Sequence, residues 1–190
     1  MDCSKITANI FLGNIYTPIN VEYLAQNNIK FIINAANMHY KKIGGITYLD
    51  LPLDDASNIN ISIFFPLTKQ FIDTAISSNN NVLVHCQMGI SRSSTIVIAY
   101  LISNGMLLKN AFDYVKKRRE IISPNSGFLR QLIDYEKKIH KLNRSSMDMI
   151  NLLNDNKMKF DMIKYKTCKY CLAGNLPNQK ICSRCKSILN

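Results

Sequence analysis

The sequence predicts an α/β fold in which a central mixed, mostly parallel sheet is flanked by helices. Three observations carry that expectation. Short apolar strand-like runs alternate with longer stretches whose apolar residues recur at helical spacing, the order that builds layered α/β structures. The run Val82-Leu83-Val84 is apolar at every position, as a strand covered on both faces must be. The polar loop after that run leads directly into SSTIVIAYL, an apolar helix.

Taken in chain order, Ile6 to Leu12 reads as a strand that ends at Gly13. Pro18 to Gln26 has helical character, Lys30 to Asn34 is a short buried strand, and Ile46 to Leu51 is another after the turn Lys41 to Gly45. LDDASN, from Leu53 to Asn58, is polar and loop-like. Ile61 to Ile76 places Phe64, Phe65, Leu67, Phe71, Ile72, Ala75 and Ile76 at helical spacing, and Asn79-Asn80-Asn81 breaks it. The helix Ser93 to Ile102 stops at Asn104-Gly105. Leu108 to Arg119 is amphipathic, with Ala111, Phe112 and Val115 on one face and Lys116 to Arg119 expected in solvent. Ser126 to Leu142 is the last long helix of this block.

Composition changes near Asn143-Arg144-Ser145-Ser146. The expected organisation is a main domain at 1–142, a linker or helical segment at 143–164 and a cysteine-bearing tail at 165–190. With 190 residues, 47% of them hydrophobic, the larger unit can bury a core without disulfide staples. The formal charge is +11, from 24 Lys and Arg against 13 Asp and Glu. Such a charge predicts attraction to anions (phosphorylated proteins, nucleic acid or an acidic membrane face) or, on composition alone, no more than a basic solvated surface. The N-terminal MDCSKITANIFLGN has neither the basic region nor the apolar core of a signal peptide. The longest apolar runs fall far short of the ~20 residues of a membrane span. An intracellular protein, cytoplasmic or nuclear, is expected, with its cysteines as thiols or metal ligands.

The loop VHCQMGISRSS carries the chemistry. A loop that leaves a parallel strand and enters a helix N-terminus is an anion site, because unpaired backbone N–H groups and the helix dipole meet there. Gly89 permits a sharp turn close to a ligand. Arg92 offers a planar fork that matches two phosphate oxygens. Cys86 opens the loop, where the same donors would favour its thiolate over the free thiol of pKa ~8.5. Ser93 is placed to donate to that sulfur, and His85 to orient the loop. The plain alternative, a buried small hydrophobe beside a surface charge, accounts for none of this spacing.

HCQMGISRS resembles the HCxxGxxRS loop of the protein tyrosine phosphatase superfamily. FLGN, IINAAN, LPLDD, VLVHC, SRSSTIVIAYL and ISPNSGFLRQLIDYE resemble its dual-specificity branch in the same order, from about Lys5 to Leu142. The resemblance implies the cysteine-phosphatase fold, with Cys86 as nucleophile and Arg92 as phosphate clamp. His85, Gln87, Met88, Gly89, Ile90 and Ser91 would then line the substrate with Arg92. A general acid must come from elsewhere. The resemblance puts it at Asp55 in LPLDD, with Asp54 as the alternative; a turn or helix-cap role is the ordinary use of either. Cys86 would attack phosphorus, Asp55 would protonate the leaving oxygen, and Asp55 as base would activate water to hydrolyse the phosphocysteine. No metal is required for these steps.

Only 85 residues precede Cys86, which leaves little room for the upstream loops that deepen tyrosine-specific pockets. A shallow site would admit phosphoserine and phosphothreonine as well. Gln87, Met88, Ile90 and Ser91 are uncharged, which favours phosphoprotein over phosphoinositide or RNA 5′-phosphate. Arg119 resembles a position used by some relatives for a second phosphate; the alternative is a solvated charge at a helix end. Asn125 is expected to cap a helix or turn that supports the loop.

The tail reads CKYCLAGNLPNQKICSRC, spacing Cys168, Cys171, Cys182 and Cys185 as C-x2-C-x10-C-x2-C. In a reducing compartment this predicts a structural zinc bound by four thiolates. Asn175 gives the tail a likeness to the Ran-binding nucleoporin type of zinc finger. Lys166 stands where that type has Trp, and Leu172-Ala173 where it uses Thr-Phe for ubiquitin, so no partner carries over. From Leu142 onward nine Lys and Arg face three Asp. With Tyr165 and Tyr170 interleaved, the tail could bind nucleic acid or a protein, or be a knuckle with a solvated surface. Three functions follow: a dual-specificity protein phosphatase, a phosphatase for RNA or lipid, and a weakly active phosphopeptide-binding module.

Overall fold

The computed structural model describes residues 2–147, together with the backbone of Lys166–Thr167 and Gly174–Asn175. Five strands, β1 (Cys3–Lys5), β2 (Ile10–Gly13), β3 (Ile29–Asn34), β4 (Thr47–Asp50) and β5 (Asn81–His85), form one sheet in the order β1-β2-β5-β3-β4. Within this sheet only the β1–β2 pairing is antiparallel. Of the predicted strand Ile6–Leu12 only Ile10–Leu12 is strand, in β2; Ile6–Asn9 form the turn that follows β1, which precedes the predicted range. Thr7 turns the chain between β1 and β2: its Oγ1 accepts from the N–H groups of Asn9 and Ile10, a side-chain bond that competes with a continuous strand.

β5 lies in the centre, between β2 and β3. Its register sets Val84 beside Leu12 and Ile33, and His85 beside Gly13 and Asn34. Alternate residues face opposite ways. Ile10, Leu12, Ile33, Val82 and Val84 enter the larger core, while Phe11, Ile32 and Leu83 enter a smaller one with Leu24 and Ile29. The short helix α1 (Val21–Gln26), capped by Asn20 Oδ1, supplies Leu24 to the smaller core. The helices α2 (Phe65–Ser77), α3 (Arg92–Ser103), α4 (Leu108–Arg118) and α5 (Ser126–His140) build the larger one. A turn of 3-10 helix, Ser62–Phe64, leads into α2. α3 is buried along almost its whole length, which explains why SSTIVIAYL has no polar face.

Beyond Leu142, Asn143 and Arg144 are exposed but Ser145 is buried again. α4 has no side-chain cap of its own. The buried carboxylate of Glu136 accepts from Leu108 N at 2.7 Å and from Ser146 N and Oγ at 2.9 and 2.6 Å. Ser146 Oγ in turn accepts from Lys109 N. Two open amides of the α4 N-terminus, those of Leu108 and Lys109, are thus satisfied by α5 and the segment after it. Among the described residues no helix is long and apolar enough to cross a membrane. Lys166–Thr167 pairs antiparallel with Gly174–Asn175. Cys168, Cys171, Cys182 and Cys185 lie outside the described residues.

Candidate active site

β5 ends at His85, and the next six residues turn into α3, whose first residue is Arg92. This loop has its carbonyls on the outside. Gln87 O accepts from Ile15 N at 3.2 Å and Ile90 O from Ser123 N at 3.0 Å. Ser91 O accepts from Thr95 N and from the hydroxyls of Ser94 and Thr95. Met88 O and Gly89 O both accept from Arg119. A trans peptide points N–H opposite to C=O, so the amides of the loop turn inward.

Cys86, buried at 1% exposure, is at the floor. Its Sγ accepts from Gly89 N and from Ser93 Oγ, each at 3.2 Å. Burial alone would raise the thiol pKa. The Ser93 hydroxyl, the backbone N–H groups of Ser93 and Ile90, and the Arg92 charge outweigh it and hold the pKa below the ordinary thiol value. Gly89 adopts φ +67°, and a Cβ there would lie 2.6 Å from Arg119 Nη2 and 2.7 Å from Gly13 O. Only glycine fits.

Arg92 is buried in the same end of the site. Nη1 donates to Leu53 O at 3.1 Å. Nε makes no hydrogen bond among the described residues and lies 3.8 Å from Asp55 Oδ2. Asp55 comes from the loop between β4 and α2. Its Oδ1 accepts from Ser91 Oγ at 2.6 Å and Asn125 Nδ2 at 2.8 Å. Asp54 turns elsewhere, its carboxylate accepting from Asn37 Nδ2. The Asp55 loop rests on α5. Gln131 accepts from Ser62 N and donates to Ile59 O. Ser57 O approaches Gly127 so closely that a Cβ on Gly127 would lie 1.9 Å from it. Asn125 caps α5 by accepting from Phe128 N, and its own N–H donates to Ser91 Oγ.

The structure therefore brings Cys86, Gly89, Ile90, Ser91, Arg92, Ser93 and Asp55 together. The side chains of Gln87 and Met88 face solvent, so these two positions contribute through their backbone. His85 lies beneath the loop, with Nε2 2.8 Å from Tyr40 Oη. Burial pushes its pKa down to about 4, against smaller upward effects of the Cys86 backbone and Asp50. The ring is thus neutral at pH 7. Three features escape sequence reasoning: the Tyr40 partner, the Ser91 bridge to Asp55, and the burial of Arg119. Tyr40 and Arg119 are remote in sequence from the residues they touch, and no local pattern marks them. The amphipathic pattern puts Arg119 in solvent with Lys116–Arg118; it is 4% exposed because the backbone leaves α4 there in an extended conformation and turns its side chain under the 86–91 loop.

The dual specificity phosphatase catalytic domain matches residues 10–138. The chain belongs to that family. Human dual specificity protein phosphatase 9 is 39% identical over 148 residues, which cover 76% of this chain and 38% of that protein. Human dual specificity protein phosphatase 16 is 42% identical over 139 residues, 72% of this chain and 21% of that protein. The chain thus spans well under half the length of these curated relatives. Among solved structures, a human tyrosine phosphatase-like serine/threonine/tyrosine-interacting protein superposes with a TM-score of 0.69 at 35% identity, covering 74% of this chain and 99% of that one.

Proposed function

We propose that the chain is a protein phosphatase that hydrolyses phosphotyrosine and phosphoserine or phosphothreonine through a phosphocysteine intermediate. The observation that carries this reading is the Cys86 sulfur, held low in pKa by inward-facing donors with the Arg92 guanidinium at the same end. In the forward step the Cys86 thiolate attacks phosphorus. The amides of Gln87 to Arg92 and the free edge of the Arg92 fork hold the equatorial oxygens, where fixed donors stabilise developing charge without reorganisation. Asp55 protonates the departing oxygen. Its carboxylate lies beside the Arg92 edge that would meet the phosphate, which favours it over Asp54. Ser93 stabilises the sulfur when it leaves again, as Asp55 takes a proton from the attacking water. Every group used belongs to the chain itself.

A second reading is a phosphopeptide-binding module, favoured by the structural likeness to a phosphatase-like interacting protein. Turnover separates the two. The purified chain is expected to release phosphate from phosphotyrosine and phosphothreonine peptides, and to do so faster than from phosphoinositide or 5′-triphosphorylated RNA. Faster turnover of the lipid or the RNA would replace the phosphoprotein assignment. No turnover at all, with phosphopeptide still bound, would leave a binding module.

For the tail we infer a structural zinc bound by Cys168, Cys171, Cys182 and Cys185, resting on the two CxxC pairs. The first pair falls in the connection between the paired strands Lys166–Thr167 and Gly174–Asn175. The basic residues around it would offer a surface to nucleic acid or a protein, and an intracellular location keeps the thiols reduced. Elemental analysis tests this: one zinc per chain is expected, and metal-free protein with four intact tail thiols would rule it out.

A further inference from the structure

Arg119 uses its whole guanidinium inside the protein. Nε donates to Gly89 O at 2.7 Å and Nη2 to Met88 O at 3.1 Å. Nη1 and Nη2 form a fork with Asp2, at 2.6 and 2.8 Å, and Nη1 also reaches Ser4 Oγ at 3.4 Å. All five donors of the group are engaged, and the side chain is sealed from solvent on the face of the loop away from the Arg92 side. A second phosphate could take this group only by displacing Asp2.

The two carbonyls that Arg119 grips belong to peptide units with particular opposite ends. The unit holding Met88 O also holds the Gly89 N–H, which donates to Cys86 Sγ. The unit holding Gly89 O also holds the Ile90 N–H, one of the donors that favour the thiolate. A peptide unit is planar and trans, so a pull on the oxygen from below aims the hydrogen above. The pull is charge-assisted, hence short and strong, and it polarises each amide toward the sulfur. We propose that Arg119 is a positioning residue for the reaction: its fork sets two loop amides onto the Cys86 sulfur and the phosphate that sulfur meets, and Asp2 holds the fork in place. The Asp2 carboxyl, held below its usual pKa chiefly by its hydrogen bonds from Arg119, remains an anion at neutral pH and keeps that hold.

This inference rests on the phosphatase reading for its meaning but not for its test. The pH dependence of Cys86 alkylation by iodoacetamide reports the thiol titration in the full chain, with or without turnover. Two variants separate geometry from charge. Arg119→Lys keeps the positive charge and loses the fork; a purely electrostatic role leaves the alkylation midpoint where it was. Asp2→Asn removes a negative charge; electrostatics alone would lower the midpoint, while a loosened fork raises it. The expected result is a rise of about half to one pH unit for Arg119→Lys, which is about three- to tenfold less thiolate below the midpoint. A matching fall in kcat on a small aryl phosphate and a smaller rise for Asp2→Asn are expected with it. An unchanged or lowered midpoint in folded Arg119→Lys overturns the proposal. If that variant does not fold, the same outcome in Asp2→Asn overturns it. Should the wild-type chain turn over no phosphate ester, the phosphatase reading fails while the alkylation midpoints still decide the role of Arg119.

Discussion

The phosphate loop and the Asp55 loop face each other across the site, and they are held in different ways. Outward carbonyls of the phosphate loop are fixed by the scaffold, and its sulfur, amides and guanidinium follow from one stretch between β5 and α3. Asp55 is held through its side chain, by Ser91 and Asn125, and its loop leans on Gly127 and Gln131 of α5. The functional groups of one half lie in a single stretch of sequence and are held through their backbone; the carboxylate of the other is brought in from a distant loop and held through its side chain. The proposed nucleophile should therefore survive changes that move the proposed acid; the converse is weaker, because Ser91 of the phosphate loop is one of the two anchors of Asp55.

The hardest break is Cys86→Ser. Serine at the same floor is a far weaker nucleophile at neutral pH, and we expect turnover to fall about 10⁴-fold or more, while phosphopeptide binding persists because the amides and Arg92 remain. Activity that survived the change would mean that the sulfur is not the nucleophile. Next comes Asp55→Asn. Losing the proposed proton donor should cost about 10²- to 10³-fold, with most of the loss on alkyl phosphates such as phosphothreonine and least on an aryl phosphate that leaves as a stabilised anion. Equal losses on both would remove Asp55 from the acid role. The alkylation midpoint of Cys86 tests the separation of the halves in the same variant.

How much of this was legible beforehand follows the same divide. The alternation of strands and helices, the central position of Val82-Leu83-Val84, and the grouping of Cys86, Gly89, Arg92 and Ser93 could all be read locally. Each depends on residues within one loop or one element. The bond of Tyr40 to His85, the Ser91 bridge and the burial of Arg119 under Met88 and Gly89 depend on where distant segments meet, and KKRR reads as a solvated helix end until the chain is folded. Asp55 was separable from Asp54 only by likeness to the family. In the structure the two carboxylates differ plainly, one near Arg92 and one on Asn37.

His85 probes the underside of the phosphate loop through stability rather than rate. Its folded pKa of about 4 lies below the ordinary value of 6.5. Between those pH values the unfolded chain binds a proton that the folded chain does not, so stability rises with pH across this window. The contribution is full above pH 6.5 and is lost as the pH falls toward 4, up to about 3 kcal/mol. His85→Gln should flatten the denaturation free energy over that range relative to wild type. Parallel pH profiles for the two proteins would show that the ring is not held neutral by burial.

Gly127→Ala moves the acid half without touching the other. A methyl group there meets the Ser57 carbonyl, so the Asp55 loop must shift. About tenfold loss of kcat on a phosphothreonine peptide is expected, since small displacements of a proton donor are felt directly, with the Cys86 alkylation midpoint unchanged. A midpoint that moved with the rate would show the two halves to be one rigid unit.

Asn125→Ala makes the finest test, because Asn125 joins both halves. Its Oδ1 caps α5, its Nδ2 holds Asp55, and its backbone N–H holds Ser91. Alanine keeps the backbone contact and loses the other two. The lost cap should destabilise the fold by about 1 kcal/mol. Asp55 would keep Ser91 Oγ as a donor, so the acid loses one of two anchors rather than its place, and we expect a fall in kcat of about three- to fivefold with little change in KM. Because the Ser91 carbonyl and the Cys86 donors are untouched, the thiol titration should stay where it is. A larger loss, approaching that of Asp55→Asn, would mean that Asn125 alone sets the carboxylate and that the Ser91 hydroxyl serves the loop instead.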